Sequence, residues 1–130
     1  MTARAHLRVV AAVIERDRRF LVTRRQAGVH LSGLWEFPGG KAGHGEPDVA
    51  ALQRELLEEL AAPIVVGDLL LHTTHAYPDR DVLLYFYRCD LMGTPVPQLG
   101  QEMAWVERDR LAGLSFPPAD EELIRMLTSA

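Results

Sequence analysis

The segment Arg54-Glu55-Leu56-Leu57-Glu58-Glu59 places three carboxylates beside one guanidinium. The apolar residues Val49, Leu52, Leu56 and Leu60 recur at helical spacing, which predicts a helix over 47–61. Pro47 suits its first turn, Glu46 and Asp48 suit its positive end, and Pro63 stops it. At about 100° per residue, Glu55, Glu58 and Glu59 share an arc of roughly 100°, on the border of the buried stripe beside Leu52. Carboxylates crowded in this way repel one another. Arg54 can reach Glu58 at i+4, but one cation does not balance three acids, whereas a divalent hard cation does. Mg²⁺ takes oxygen ligands and commonly joins one or two carboxylates to substrate phosphates. A solvated acidic helix face is the other reading of the same residues.

The residues before the helix narrow the choice. A glycine loop leads into it in the order Gly40-x5-Glu46-x7-Arg54-Glu55-Leu56-x-Glu58-Glu59. This pattern resembles the Nudix box and matches every charged position of that motif. It departs at the end, where Ala61 and Ala62 stand in place of Gly and a bulky aliphatic. A Cβ disfavours the left-handed turn expected at that helix end. The resemblance extends over nearly the whole chain and is greatest to MutT-type members. Leu34-Trp35-Glu36-Phe37-Pro38-Gly39-Gly40-Lys41 resembles their strand into the box, and Tyr77-Pro78-Asp79-Arg80 and Phe116-Pro117-Pro118-Ala119-Asp120 resemble their later landmarks.

The resemblance implies an α+β fold, an α/β/α sandwich around a mixed sheet, in one domain over 1–130. It implies hydrolysis of a nucleoside diphosphate linked to a further group, with Mg²⁺ or Mn²⁺. Carried over residue by residue, Glu55, Glu58 and Glu59 are metal ligands, with the Gly40 carbonyl as a backbone ligand. Glu46 and Arg54 are the supporting residues of the box, and Glu46 can also serve the helix N-terminus. Family members place another acid before the Trp of the late strand. That place falls near Leu99, and Glu102 is the nearby acid, as ligand, general base or plain surface residue. Arg25 and Lys41 resemble phosphate contacts. Phe37 and Tyr77 are candidates to line the base pocket, with core packing the alternative for Phe37.

Asp120 bears on the base. As the residue opening the last helix it could be an N-cap. MutT-like enzymes that read 8-oxoguanine often have Asn at the matching place, and an amide both donates and accepts, whereas an ionised Asp only accepts. It pairs naturally with an exocyclic amino group such as cytosine N4–H₂. A protonated Asp120 could still read an oxidised purine. Both 8-oxo-dGTP and CTP or 5-methyl-dCTP therefore stand as substrates, with nucleotide sugars and dinucleotides as rivals. A non-catalytic Nudix-like binding domain is the alternative from another class, though such domains typically lose the carboxylates kept here. The MutT-like part of a DNA-repair glycosylase is not expected, since no glycosylase part is seen and the sequence starts with Met1.

These residues need a scaffold. Residues 7–14 read as a buried strand, and 20–23 return as its hairpin partner around a charged turn. Trp35 to Phe37 close on a Pro-Gly-Gly breaker, and 41–46 form a loop. Two strand-like runs, 64–76 and 81–91, flank the turn Tyr77-Pro78-Asp79-Arg80. A loop over 93–100, a short strand at 104–106, a short helix at 109–113 and a terminal helix carrying Leu123, Ile124 and Leu127 complete the chain. Strands first and helices late point to a mixed sheet with helices packed on it.

With 130 residues, the chain is one ordinary domain. No apolar run approaches the ~20 residues that span a bilayer, and no signal peptide is expected. Thirteen Arg and one Lys against 18 acids give a net charge of −4, which argues against a duplex-DNA binder. The lone Cys89 cannot make an internal disulfide, which fits a reducing cytoplasm. His72 and His75, three apart in a strand, fall on opposite faces and form no metal pair. No nucleophile elbow or Walker loop is present. The partner expected is a small nucleotide, taken by a monomer or homodimer.

Overall fold

The computed structural model describes residues 5–24 and 33–129. Strand β1 (Ala5–Val13) runs parallel to β7 (Arg80–Leu91) and antiparallel to β5 (Gly39–Lys41). Strand β6 (Ile64–Ala76) pairs antiparallel with β7, which completes a mixed sheet of order β5-β1-β7-β6. A second sheet is built on β3 (Arg19–Arg24), which pairs antiparallel with β2 (Glu15–Arg16), β4 (Trp35–Glu36) and β8 (Glu102–Glu107). Two helices, α1 (Asp48–Leu60) and α2 (Glu121–Thr128), cover opposite faces.

The run Val10-Ala11-Ala12-Val13-Ile14 is apolar at every position because both of its faces are covered. Val10, Ala12 and Ile14 pack with Leu52, Leu56 and Leu60 of α1, while Ala11 and Val13 pack with Phe86 and with Leu123, Ile124 and Leu127 of α2. The mixed sheet between two helical layers is the architecture expected.

Two local expectations change. The 7–14 and 20–23 runs meet as a hairpin only through the short β2, around Asp17 and Arg18 with φ of 52° and 65°. The body of β1 pairs instead with β7, more than 70 residues along the chain. The Pro-Gly-Gly segment does not only break the preceding strand, because Gly39 and Gly40 themselves form β5. A Cβ at Gly39 would stand 2.0 Å from the Val10 carbonyl oxygen, so this approach of β5 to β1 requires glycine. The remaining elements fall where the sequence places them. A 3₁₀ helix (Arg108–Gly113) stands for the short helix at 109–113, and a single 3₁₀ turn (Pro118–Asp120) leads into α2.

Candidate active site

Helix α1 presents its carboxylates to β5. Opposed residues of an antiparallel pair share a face, so Gly40 lies with Val10 on the helix side, while Gly39 and Lys41 lie with Ala11 and Val9 on the other. A Cβ at Gly40 would stand 2.5–2.7 Å from the Glu55 carboxyl group, so the missing side chain makes the seat of that carboxylate. Burial raises the Glu55 pKa above the ordinary carboxylate range, against the lowering effect of Arg54. Glu59 Oε2 accepts the Gly39 N–H at 3.2 Å. Glu58 is the more exposed of the three.

Arg54 does more than the i+4 pair predicts. Its guanidinium donates to both carboxylate oxygens of Glu46 at 2.9 Å, to Glu55 at 3.0 Å, to Glu58 at 3.3 Å and to the Lys41 carbonyl at 3.1 Å. The Glu46 bond, with the other acids, raises the Arg54 pKa further. Glu46 also accepts the Gly43 N–H at 2.8 Å. The Arg54 bond, followed by the Gly43 N–H, holds the Glu46 carboxyl down to about 2. Glu46 therefore acts on the loop and on Arg54 rather than on the helix amides.

Behind β5 lies a pocket of about 150 Å³. Phe37, Phe86, Leu84 and Val82 supply apolar wall, and Tyr77, Glu36 and Asp120 its polar groups. Phe37 does two jobs. It is buried, stacked on Phe116 at 5.4 Å and edge-on to Phe86, yet it lines the pocket. Tyr77 stands edge-on to His75 at 4.7 Å. Asp120 is buried at the N-cap position of α2, the place read from the sequence, without a side-chain cap bond to the helix.

Comparison with known proteins places the whole fold that carries this site in one family. The NUDIX domain model matches residues 9–126. The chain belongs to the Nudix family. The 8-oxo-dGTP diphosphatase of Haemophilus influenzae is 34% identical, over 93% of this chain and 90% of that protein. The CTP pyrophosphohydrolase of Escherichia coli K12 is also 34% identical, over 91% and 88%. The solution structure of the E. coli ORF135 protein superposes with a TM-score of 0.83 at 34% identity, covering 95% of this chain and 87% of that one.

Of the Nudix residues named from sequence, Gly40, Glu46, Arg54, Glu55, Glu58 and Glu59 gather at the β5–α1 junction, and Lys41 stands exposed at the end of β5. Glu102 lies at the start of β8, exposed and 3.8 Å from Arg24, its register partner. Arg25 is outside the described residues. Among the described residues no three Asp, Glu, His or Cys side chains are drawn together as a metal cluster. Arg54 stands between Glu55 and Glu58, and Glu59 turns to Gly39. The donors nonetheless suit a hard cation, being all oxygen, with a seat beside Gly40 that a Cβ would fill.

Sequence reasoning missed Glu36, whose place in an aromatic stretch hid it, and Arg8. An Arg inside an otherwise apolar buried strand was the available signal for the latter. His72 stacks on Tyr85 at 4.1 Å.

Proposed function

We propose that this Nudix protein hydrolyses a nucleoside triphosphate to the monophosphate and pyrophosphate, using Mg²⁺ or Mn²⁺. The observation that carries the reading is the junction itself, with box carboxylates on one side of β5 and an apolar pocket with two acids on the other. Glu55, Glu58 and Glu59, with the Gly40 carbonyl, would hold the divalent ion, which when bound neutralises phosphate charge and activates water. Arg54 orients Glu55 and Glu58, and Glu46 orients Arg54. Lys41, at the pocket-side end of β5, and Arg25 are the candidate phosphate contacts. Glu102, at the start of β8, is a candidate further acid.

Base preference follows from the pocket polar groups. A carboxylate only accepts in its ionised form, and in that form Glu36 and Asp120 would favour a base edge rich in donors, as in cytosine N4–H₂. A cytidine triphosphate, including 5-methyl-dCTP, is therefore the first substrate. The second is 8-oxo-dGTP, supported by the likeness to the H. influenzae diphosphatase. Of these, 5-methyl-dCTP and 8-oxo-dGTP fit sanitising of the nucleotide pool ahead of DNA synthesis. A cytoplasmic site of action fits the lone buried Cys89; among the described residues no helix is long and apolar enough to cross a membrane. The reading takes the protein as one domain acting as monomer or homodimer on a small molecule, without duplex nucleic acid.

The test is a nucleotide panel assayed with and without Mg²⁺, with ¹⁸O-labelled water. The expected result is metal-dependent pyrophosphate release, with label in the pyrophosphate from attack at the β-phosphorus. Label in the monophosphate would place attack at the α-phosphorus. Release of orthophosphate would sink the reaction class.

A further inference from the structure

Pro47 stands at the N-cap position of α1 and offers no side-chain cap. The entrance to the helix is held instead from the sheet. Arg8 on β1 donates to the Asp48 carboxylate and to the Glu46 carbonyl, and more distantly to the Gly43 carbonyl at 3.4 Å. Tyr87 on β7 donates its hydroxyl to the other Asp48 oxygen. Burial, then the bond to Asp48, push that hydroxyl up to about 12, so it is a donor throughout the neutral range. Arg8 and Asp48 are both largely covered, with 29% and 20% of their side chains exposed. Arg54 grips the same loop from the helix side, through Glu46 and the Lys41 carbonyl.

We propose that Arg8 and Asp48, with Tyr87 behind them, are positioning residues that fix the 41–48 loop and thereby set where α1 carries Glu55, Glu58 and Glu59 against Gly40. The route is continuous. Arg8 fixes the Gly43 and Glu46 carbonyls, Glu46 fixes Arg54, and Arg54 fixes Glu55 and Glu58. None of the three clamp residues lines the base pocket. The clamp therefore acts on metal binding and turnover, not on base recognition. A side chain that merely stabilised the fold would lower the melting temperature and leave both untouched. This inference rests on the metal-dependent reading of the carboxylates.

Three readouts test it in Arg8→Met, Arg8→Lys, Asp48→Asn and Tyr87→Phe. They are amide hydrogen exchange without metal, Mn²⁺ binding followed by electron paramagnetic resonance, and the division of the kinetic effect between kcat and KM. In Arg8→Met the Gly43 and Glu46 amides should exchange faster, Mn²⁺ should bind roughly tenfold more weakly and kcat should fall about tenfold, with KM within about twofold. Arg8→Lys should recover part of each loss, and Asp48→Asn and Tyr87→Phe should show smaller losses of the same kind. A folded Arg8→Met with wild-type exchange, Mn²⁺ affinity and kcat overturns the clamp, as does a change confined to KM. If Arg8→Met does not fold, Arg8→Lys decides by the same criteria. A wild-type chain that hydrolyses no nucleotide overturns the proposed function alone, because exchange and Mn²⁺ binding still judge the clamp.

Discussion

Asp120 opens α2 without capping it, a buried carboxylate on the wall of an apolar pocket. Asp120→Asn is expected to move the ratio of kcat/KM away from cytidine nucleotides and toward 8-oxo-dGTP. One hydrogen bond in a desolvated pocket is worth ~1–3 kcal/mol, hence about tenfold or more. Competition between the two substrates measures it, and an unchanged ratio with both activities intact would reduce Asp120 to a structural residue. Glu58→Gln and Glu59→Gln keep size and remove charge. Each should lower turnover by orders of magnitude at saturating Mg²⁺ while the fold survives, and near-normal rates in both would remove them from the metal site. The amide oxygen introduced by Glu59→Gln can still accept the Gly39 N–H, so a loss there would report on charge rather than on the strand contact. At this scale the sequence was most legible where spacing carries chemistry, from Gly40 to Glu59. It was least legible for Arg8, Asp48 and Glu36, whose meaning depends on strands and loops that fold beside them.

Helix α1 ends on a residue in an unfavoured conformation. Ala61 adopts the left-handed region, φ 52° and ψ 34°, in the turn that its Cβ disfavours. The turn persists because its surroundings fix it. The Ala61 N–H donates to the Leu57 carbonyl and Ala62 N–H to Leu56, while Val96 and Gln98 N–H groups satisfy the Leu60 and Glu59 carbonyls. The Gln101 side chain adds a second donor to Glu59. Those partners lie beyond residue 90, so a local reading of the helix end could not include them. Ala61→Gly removes the steric cost but adds chain entropy to the unfolded state. The expected net gain is ~0.5–1 kcal/mol, read as a higher urea midpoint at unchanged slope. The same limit on local reading explains β5, where a Pro-Gly-Gly signal marks a break and the close approach to Val10 turns the glycines into a strand.

At the scale of the whole molecule, the loop ion pairs contribute to the acid limb of stability. Glu46 titrates at an ordinary 4.5 when unpaired and at about 2 in the fold. Its contribution to stability is thus complete above pH 4.5 and is lost as the pH falls from there toward 2. Glu46→Gln should flatten the stability profile over that window, as measured by denaturant unfolding at a series of pH values. Stability near pH 7 should also fall, since Arg54 loses its strongest partner. An acid limb unchanged by the substitution would mean that Glu46 is not the group being titrated. The layered plan was legible because apolar periodicity separates helices from strands, whereas pairing order was not, since periodicity is silent on which strand lies beside which. The parallel pairing of Ala5–Val13 with Arg80–Arg88 matters most in that respect. During synthesis, β1 has no neighbour on that side until some 75 further residues have followed it. Until then β5 and α1 can cover part of the run Val9 to Ile14, but its β7 edge stays unpaired. A chain cut short before β7 would keep β5 and α1 against the strand but leave its other edge permanently open, a row of unpaired backbone groups ready to join another chain.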